Sequence, residues 1–116
     1  MDVDLVKRSP NLIARLNGEL DHHNADSIRN KLDAELEKGI FENLLLDLSQ
    51  LSFMDSSGLG VILGRYKKVS QMGGQVVITG VTPQIQKLVE LSGLTKLVNM
   101  YKDEDEAILK LEKGEK

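Results

Sequence analysis

The residues best suited to chemistry lie in one short acidic turn, Asp55-Ser56-Ser57-Gly58, between an apolar stretch and an amphipathic one. Either hydroxyl could accept a phosphoryl group, because the backbone N–H groups at the start of a helix favour negative charge. The same residues also suit an ordinary helix start, with Ser56 or Ser57 as the N-cap and Asp55 complementing the helix dipole. Both interpretations remain open at this point.

Two glycines near the start of the predicted helix argue against a purely structural turn. Gly58 and Gly60 both lie in its first turn, and each costs up to about 1 kcal/mol of helix propensity relative to alanine. No nearby residue offsets that cost, since Gly60 stands where the carboxylate of a capping box would be useful. The segment therefore has the features of a surface that contacts another molecule.

Catalytic interpretations fit the sequence poorly. Ser56 could be combined with His22 or His23 and an aspartate as a hydrolase triad, but the glycine-flanked pattern of a nucleophilic serine is missing. The same histidines with Asp21 could be drawn as metal ligands, yet the chain has no further histidine and no cysteine. The sequence of a P-loop is also absent. We therefore predict no enzyme, no metal site and no cofactor.

The composition is typical of a small globular domain. The chain has 116 residues, enough for one hydrophobic core, and a net charge of −3. That charge and the shortage of aromatic residues argue against direct binding of nucleic acid. No apolar run is long enough to span a bilayer, and the N-terminus lacks the pattern of a signal peptide. We predict a single domain over residues 1–116, located in the cytoplasm and without a membrane partner.

Hydrophobic periodicity predicts an α/β fold. The strands are expected at 3–7, 12–16, 44–48, 75–79 and 96–101, the first two as an N-terminal hairpin turning at 9–11. The helices are expected from Asn24 to Gly39, over 59–69, from Thr82 to Gly93 and after Asp103. Strands that alternate with helices indicate a mixed, mostly parallel sheet with packed helices.

The predicted topology brings three loops to one edge of the sheet. In open α/β sheets, sites form beyond the carboxyl ends of the parallel strands. The loops expected there are residues 18–23, 53–58 and 80–83.

The second helix is expected to present a flat outer surface. At 100° per residue, its inward face consists of Leu59, Ile62, Leu63 and Tyr66. Its outward face would consist of Ser57, Val61, Gly64, Arg65 and Lys68. Small residues, one valine and two cations could form a docking surface for another protein; the alternative is a solvated face with an incidental valine.

The segment from Asp55 to Tyr66, which follows a buried strand, resembles a STAS domain. That family includes bacterial anti-sigma factor antagonists and the cytoplasmic domains of sulfate transporters. The stretches Gly18-Glu19-Leu20-Asp21-His22-His23 and Phe53-Met54-Asp55-Ser56-Ser57-Gly58 together resemble the sporulation branch of the anti-sigma factor antagonists. The resemblance covers Val3 to Tyr101.

This resemblance implies a partner-switching protein. Its unphosphorylated form would bind an anti-sigma factor serine kinase, with the kinase's bound ATP or ADP, and displace the sigma factor. Phosphorylation would switch it off, and a serine phosphatase would reverse the change. The modified residue of the family is the first serine of D-S-x-G, which corresponds to Ser56; spacing alone does not choose between Ser56 and Ser57. The alternative is an unmodified STAS-type sensing or scaffolding domain that binds nucleotide or a protein partner.

The docking surface that follows from these arguments surrounds Ser56. Its expected members are Asp21, Asp55, Ser57, Gly58, Val61, Gly64, Arg65, Gly80, Val81 and Pro83. A phosphate would add roughly −1.5 to −2 charges at neutral pH. We expect a local electrostatic switch without refolding.

Overall fold

The elements follow one another in the predicted order. A computed structural model describes residues 2–114; positions 1, 115 and 116 of the predicted domain lie outside the described residues. The elements are β1 (Asp2–Arg8), β2 (Asn11–Leu20), α1 (Ala25–Leu36), β3 (Asn43–Met54), α2 (Ser56–Gln71), β4 (Val76–Thr79), α3 (Pro83–Leu91), β5 (Asn99–Tyr101) and α4 (Glu104–Glu112).

The strands form one mixed sheet in the order β1-β2-β3-β4-β5. β1 and β2 are the antiparallel hairpin, and every later pair is parallel, so the predicted sheet is confirmed. β4 pairs with β3 only as far as Asp47, whereas β2 accompanies β3 to its end, where Leu20 is opposite Met54. The ends of β2 and β3 therefore project together beyond β4, and α2 begins directly after them.

β2 and β3 are longer than the apolar runs that predicted them. Their pairing shifts register between Arg15 and Asn17 and again between Gly18 and Glu19. Such irregularities interrupt the alternation of inward and outward side chains, so the periodicity fades although the pairing continues. The extra length brings the end of β3 to the turn at Asp55.

The core lies on both faces of the sheet. Alternate residues of the strands pack against α1, α2 and α3 on one face, for example Leu12, Leu44 and Ile78. On the other face, Ile13, Leu45 and Val77 pack against α4. Within residues 2–114, no helix combines the length and the apolar character required to cross a membrane.

The prediction for the last strand was wrong at its start. A short 3-10 helix, Leu94–Lys96, follows Gly93, whose φ of 80° is left-handed. The N–H groups of Leu97 and Val98 donate to the carbonyl oxygen of Leu94. These bonds keep the chain coiled up to Val98, so β5 has only three residues.

Candidate functional site

The N-cap of α2 is Asp55, and neither serine has that role. Asp55 has an extended backbone, and its Oδ1 accepts a hydrogen bond from the N–H of Gly58 at 3.1 Å. The structure thus corrects the expectation of a serine cap. Ser56 becomes the first residue of the helix and Ser57 the second, so the capping bond does not use either hydroxyl.

The second carboxylate oxygen of Asp55 joins the first two predicted loops. Asp55 Oδ2 accepts from the backbone N–H of His22 at 3.0 Å and lies 3.3 Å from His22 Nδ1. The N–H of Asp55 in turn donates to the carbonyl oxygen of Leu20. The loop after β2 and the turn after β3 therefore form one connected structure, as the topology predicted.

These contacts keep Asp55 ionised. Burial raises the pKa of its carboxyl group, but hydrogen bonds outweigh that effect and the pKa is lowered overall. The donors are the Gly58 N–H, the His22 side chain and the backbone N–H groups of His22 and Ser57. A negative charge is thus fixed beside both serines.

The loop after β2 is held by its own side chains. Asp21 Oδ1 accepts from the N–H of His23 at 2.9 Å, and Asn24 links the N–H of Asp21 to the carbonyl oxygen of Glu19. Asn24 occupies the predicted N-cap position of α1 but makes no capping bond with its side chain. The ring centroids of His22 and His23 lie 4.0 Å apart. In residues 2–114, no group of three or more acidic or histidine side chains could hold a metal ion.

Exposure distinguishes the two serines. Ser56 is exposed, and helix geometry places it on the side of α2 that carries Gly60 and Lys67, both also exposed. Ser57 is half-buried and lies toward Val61 and Arg65, on the side that faces α1. The structure therefore makes Ser56 the more accessible hydroxyl.

Two residues of the predicted docking face are buried. Val61 is 5% exposed and Arg65 is 7% exposed. The buried stripe of α2 is rotated by roughly 90° from the predicted one, because α1 packs along this flank and the helix is covered on two sides. Leu59, Leu63 and Tyr66, which were predicted to be inward, are only partly buried.

Arg65 connects α2 to α1. Its Nε lies 3.1 Å from Asp33 Oδ1, and Lys68 lies near the same carboxylate at 3.7 Å and near Glu37 at 2.8 Å. Burial lowers the pKa of Arg65 more than the charge of Asp33 raises it. Its position and its ion pair assign Arg65 to the packing between the helices, and not to an outer surface.

The glycines of α2 belong to two classes. Gly58 is buried, and a Cβ there would lie 2.6 Å from the carbonyl oxygen of Leu20 and 2.6 Å from Met54 Cγ. The lack of a side chain at Gly58 thus allows α2 to pack closely on the sheet, which gives this glycine a structural role that the sequence did not reveal. At Gly60 and Gly64, an added Cβ would have no described atom within 4 Å, apart from the backbone of the helix itself.

The third loop begins farther from Asp55 than the other two loops do, beside the middle of β3. Gly80 has a left-handed φ of 69°, and a Cβ there would lie 2.7 Å from Ser49 Cβ. Ser49 precedes Asp55 by six residues, which is roughly 20 Å of extended strand. Val81 is half-buried against the core, and Pro83 is exposed as the first residue of α3. The first two loops are in direct contact, whereas Gly80 packs against the middle of β3.

Two exposed residues on this side of the molecule had no separate prediction from the sequence. Phe53 is 47% exposed beside the turn, and Lys67 lies on the same side of α2 as Ser56. A large aromatic residue directly before the acidic turn was an available signal for Phe53. Lys67 was missed because the predicted phase of α2 was wrong.

Comparison with known proteins fits this arrangement. The STAS domain model matches residues 2–107. The anti-sigma F factor antagonist of Paenibacillus polymyxa is 46% identical over 101 residues, which are 87% of this chain and 86% of that protein.

Two solved structures of SpoIIAA share the fold. The unphosphorylated anti-sigma factor antagonist SpoIIAA superposes with a TM-score of 0.77 at 27% identity, over 97% of this chain and 99% of that one. The phosphorylated form of the Bacillus cell fate determinant SpoIIAA gives 0.76 at 32% identity, over 95% and 99%. With its mixed sheet, the serine turn capped by Asp55 and these matches, the chain belongs to the STAS domain family.

Proposed function

We propose that this protein is an anti-sigma factor antagonist that works by partner switching in the cytoplasm. Its unphosphorylated form binds an anti-sigma factor serine kinase, with the kinase's ATP or ADP, and displaces the sigma factor. The kinase then phosphorylates Ser56, and a serine phosphatase restores the active form. The protein is a substrate in this cycle and not an enzyme. The names of its relatives support the regulatory class.

One observation carries the proposal: an exposed serine begins a helix face that is open to solvent. We call this surface the open face of α2, and it consists of Ser56, Gly60, Gly64 and Lys67. At its two glycines a partner's backbone could approach the helix closely, because no side chain intervenes. Within the described part of the chain, no packing contact accounts for the helix propensity that is lost at these two glycines.

The remaining predicted contacts are revised accordingly. Asp21 and Asp55 form the acidic rim beside Ser56, and Ser57 lies at the flank. Gly58, Val61 and Arg65 hold the open face in place from behind. Gly80, Val81 and Pro83 stay in the proposal as a more distant part of the docking surface.

The electrostatics around Ser56 support an inhibitory phosphate. Asp55 is already ionised, and a phosphoserine would add roughly −1.5 to −2 charges beside it. Because the first helical turn is already capped by Asp55, the phosphate is not needed for folding and its charge remains on the surface. The chain superposes almost equally on the unphosphorylated and the phosphorylated SpoIIAA, which supports a switch without refolding.

Binding to the cognate anti-sigma factor in the presence of ADP tests the proposal. We expect Gly60→Arg to weaken binding by at least about 30-fold, as for a residue at the centre of an interface. Ala34→Arg, at an exposed position of α1, is the matched control and should bind like the wild type. Equal binding by both variants would contradict the proposed surface. Nucleotide binding without any kinase would instead favour an unmodified sensing domain.

Ser56→Asp provides a complementary test of the switch. It should unfold at nearly the wild-type temperature yet lose binding to the anti-sigma factor. Loss of folding in this variant would show that Ser56 has a structural role.

A further inference from the structure

The strand at one edge of the sheet, β1, is long and regular. It pairs with β2 along its whole length, Asp2–Arg8, without a register shift. By contrast, β5 at the opposite edge has three residues. Every second residue of an antiparallel strand directs its N–H and C=O groups away from its neighbour. On β1 these outward groups make no backbone hydrogen bond to another element within the part of the chain that the structure describes, so β1 is a free edge.

This free edge lacks most of the features that keep an edge strand from pairing. Edge strands in natural sheets are typically very short, bulged, covered or interrupted by proline. β1 has neither a bulge nor a proline, and apolar side chains lie on both of its faces. Val3 and Leu5 are half-buried on the face that carries α1, and Val6 is half-buried on the face that carries α4. A further strand beside β1 would cover the exposed part of these side chains.

The charges of β1 indicate which strand fits there. Asp4 lies in its first half, and the Asp4 side chain is 67% exposed although Arg15 is 3.4 Å away. Lys7 and Arg8 end the strand and are also exposed. A second β1 in the antiparallel direction would place its basic end beside the acidic residue of the first, which is favourable across strands. A parallel copy would bring like charges together. The charge pattern of β1 is therefore complementary to itself in the antiparallel direction.

We propose that two copies of this chain associate through β1 and form one continuous sheet around a twofold axis. Such an interface uses the same surface of both copies and closes at the dimer. Asp4 and Arg8 lie on the same face of β1, so Asp4 of one copy is placed opposite Arg8 of the other, and the reverse. In this register Val6 lies on the twofold axis. The open face of α2 is not part of this interface, and the inference does not depend on the proposed function.

The molecular mass in solution tests the dimer. Sedimentation equilibrium is measured at protein concentrations up to about 1 mM, because an interface of one strand is small and its affinity low. We expect a concentration-dependent dimer of the 12.9 kDa chain. Asp4→Arg should weaken the dimer by at least about fivefold, since two attractive pairs become repulsive. Asp4→Arg/Arg8→Asp restores opposite charges and should return the affinity to within about twofold of the wild type.

Two further variants control for net charge and test the register. Glu90→Arg, at an exposed position of α3, changes the net charge as Asp4→Arg does and should dimerise like the wild type. Because the chain has no cysteine, Val6→Cys introduces a single thiol, which oxidised glutathione should convert to a disulfide between copies faster than in Ala34→Cys. A monomer at every concentration, a dimer that the double variant does not restore, or equal crosslinking of the two cysteine variants would overturn the inference.

Discussion

The two sides of α2 are built from similar small and charged residues but have opposite roles. On the side toward α1, Val61 is buried and Arg65 pairs with Asp33. On the open face, the space next to Gly60 and Gly64 is not filled by any described residue, apart from the backbone of the helix itself. The side toward α1 contributes to folding. The open face makes no described contact that would stabilise the fold. The difference separates residues that pack α2 against α1 from those that form the proposed docking surface.

Gly58 gives the largest expected effect on stability. Its Cβ would meet a backbone oxygen and Met54 at 2.6 Å, so Gly58→Ala forces α2 away from the sheet. We expect a loss of about 1–3 kcal/mol in the free energy of unfolding, as for overpacked cores. Urea denaturation measures it, and stability at or above the wild-type value would show that the close packing is not limiting.

Arg65 tests the side toward α1. Arg65→Ala removes a buried aliphatic stem and leaves Asp33 without its closest cation, so we expect a loss of about 1–2 kcal/mol. Lys67→Ala, on the open face, is the matched control and should change stability by less than about 0.5 kcal/mol. Equal losses from the two variants would remove the distinction between the sides.

The glycines of the open face should respond in the opposite direction. Gly60→Ala and Gly64→Ala should each raise the free energy of unfolding by up to about 1 kcal/mol, because alanine is the better helix former. The same variants should bind the anti-sigma factor more weakly, since a methyl group separates the two backbones. Greater stability with unchanged affinity would exclude the glycines from the interface.

Asp55 gives the smallest effect, one that depends on pH. Its pKa is lowered in the folded state, so its hydrogen bonds stabilise the fold near neutral pH and that contribution is lost as the pH falls through the carboxyl range. Asp55→Asn retains an N-cap acceptor but cannot titrate. Unfolding measured from pH 7 to about pH 3 should therefore lose less stability in the variant than in the wild type. Parallel curves would show that the Asp55 carboxylate is not linked to folding.

The sequence predicted those parts of the fold that depend on local pattern. The apolar run Leu44 to Leu48 and the stripe Ala25, Ile28, Leu32 and Leu36 are regular, so α1 and the first part of β3 appear where they were expected. The Asp103 cap of α4 also needs only neighbouring residues, and its carboxylate accepts from the Glu106 N–H. Short-range rules were sufficient for these elements.

The phase of α2 and the roles of its glycines could not be predicted from the same rules. Whether Val61 faces solvent depends on where α1 packs, and α1 lies about thirty residues earlier in the chain. Gly58 and Gly60 look alike in sequence, yet only the tertiary structure places Leu20 and Met54 against Gly58. The position of Gly80 beside Ser49 likewise follows from the short pairing of β4.

Mapping the phosphosite is the most direct test of the central claim that the open face of α2 is a switch centred on Ser56. The wild type, Ser56→Ala and Ser57→Ala are incubated with the cognate anti-sigma factor kinase and ATP and then analysed by mass spectrometry. The proposal predicts one phosphate on Ser56, its absence in Ser56→Ala and its retention in Ser57→Ala. A phosphate that persists in Ser56→Ala and disappears in Ser57→Ala would contradict it.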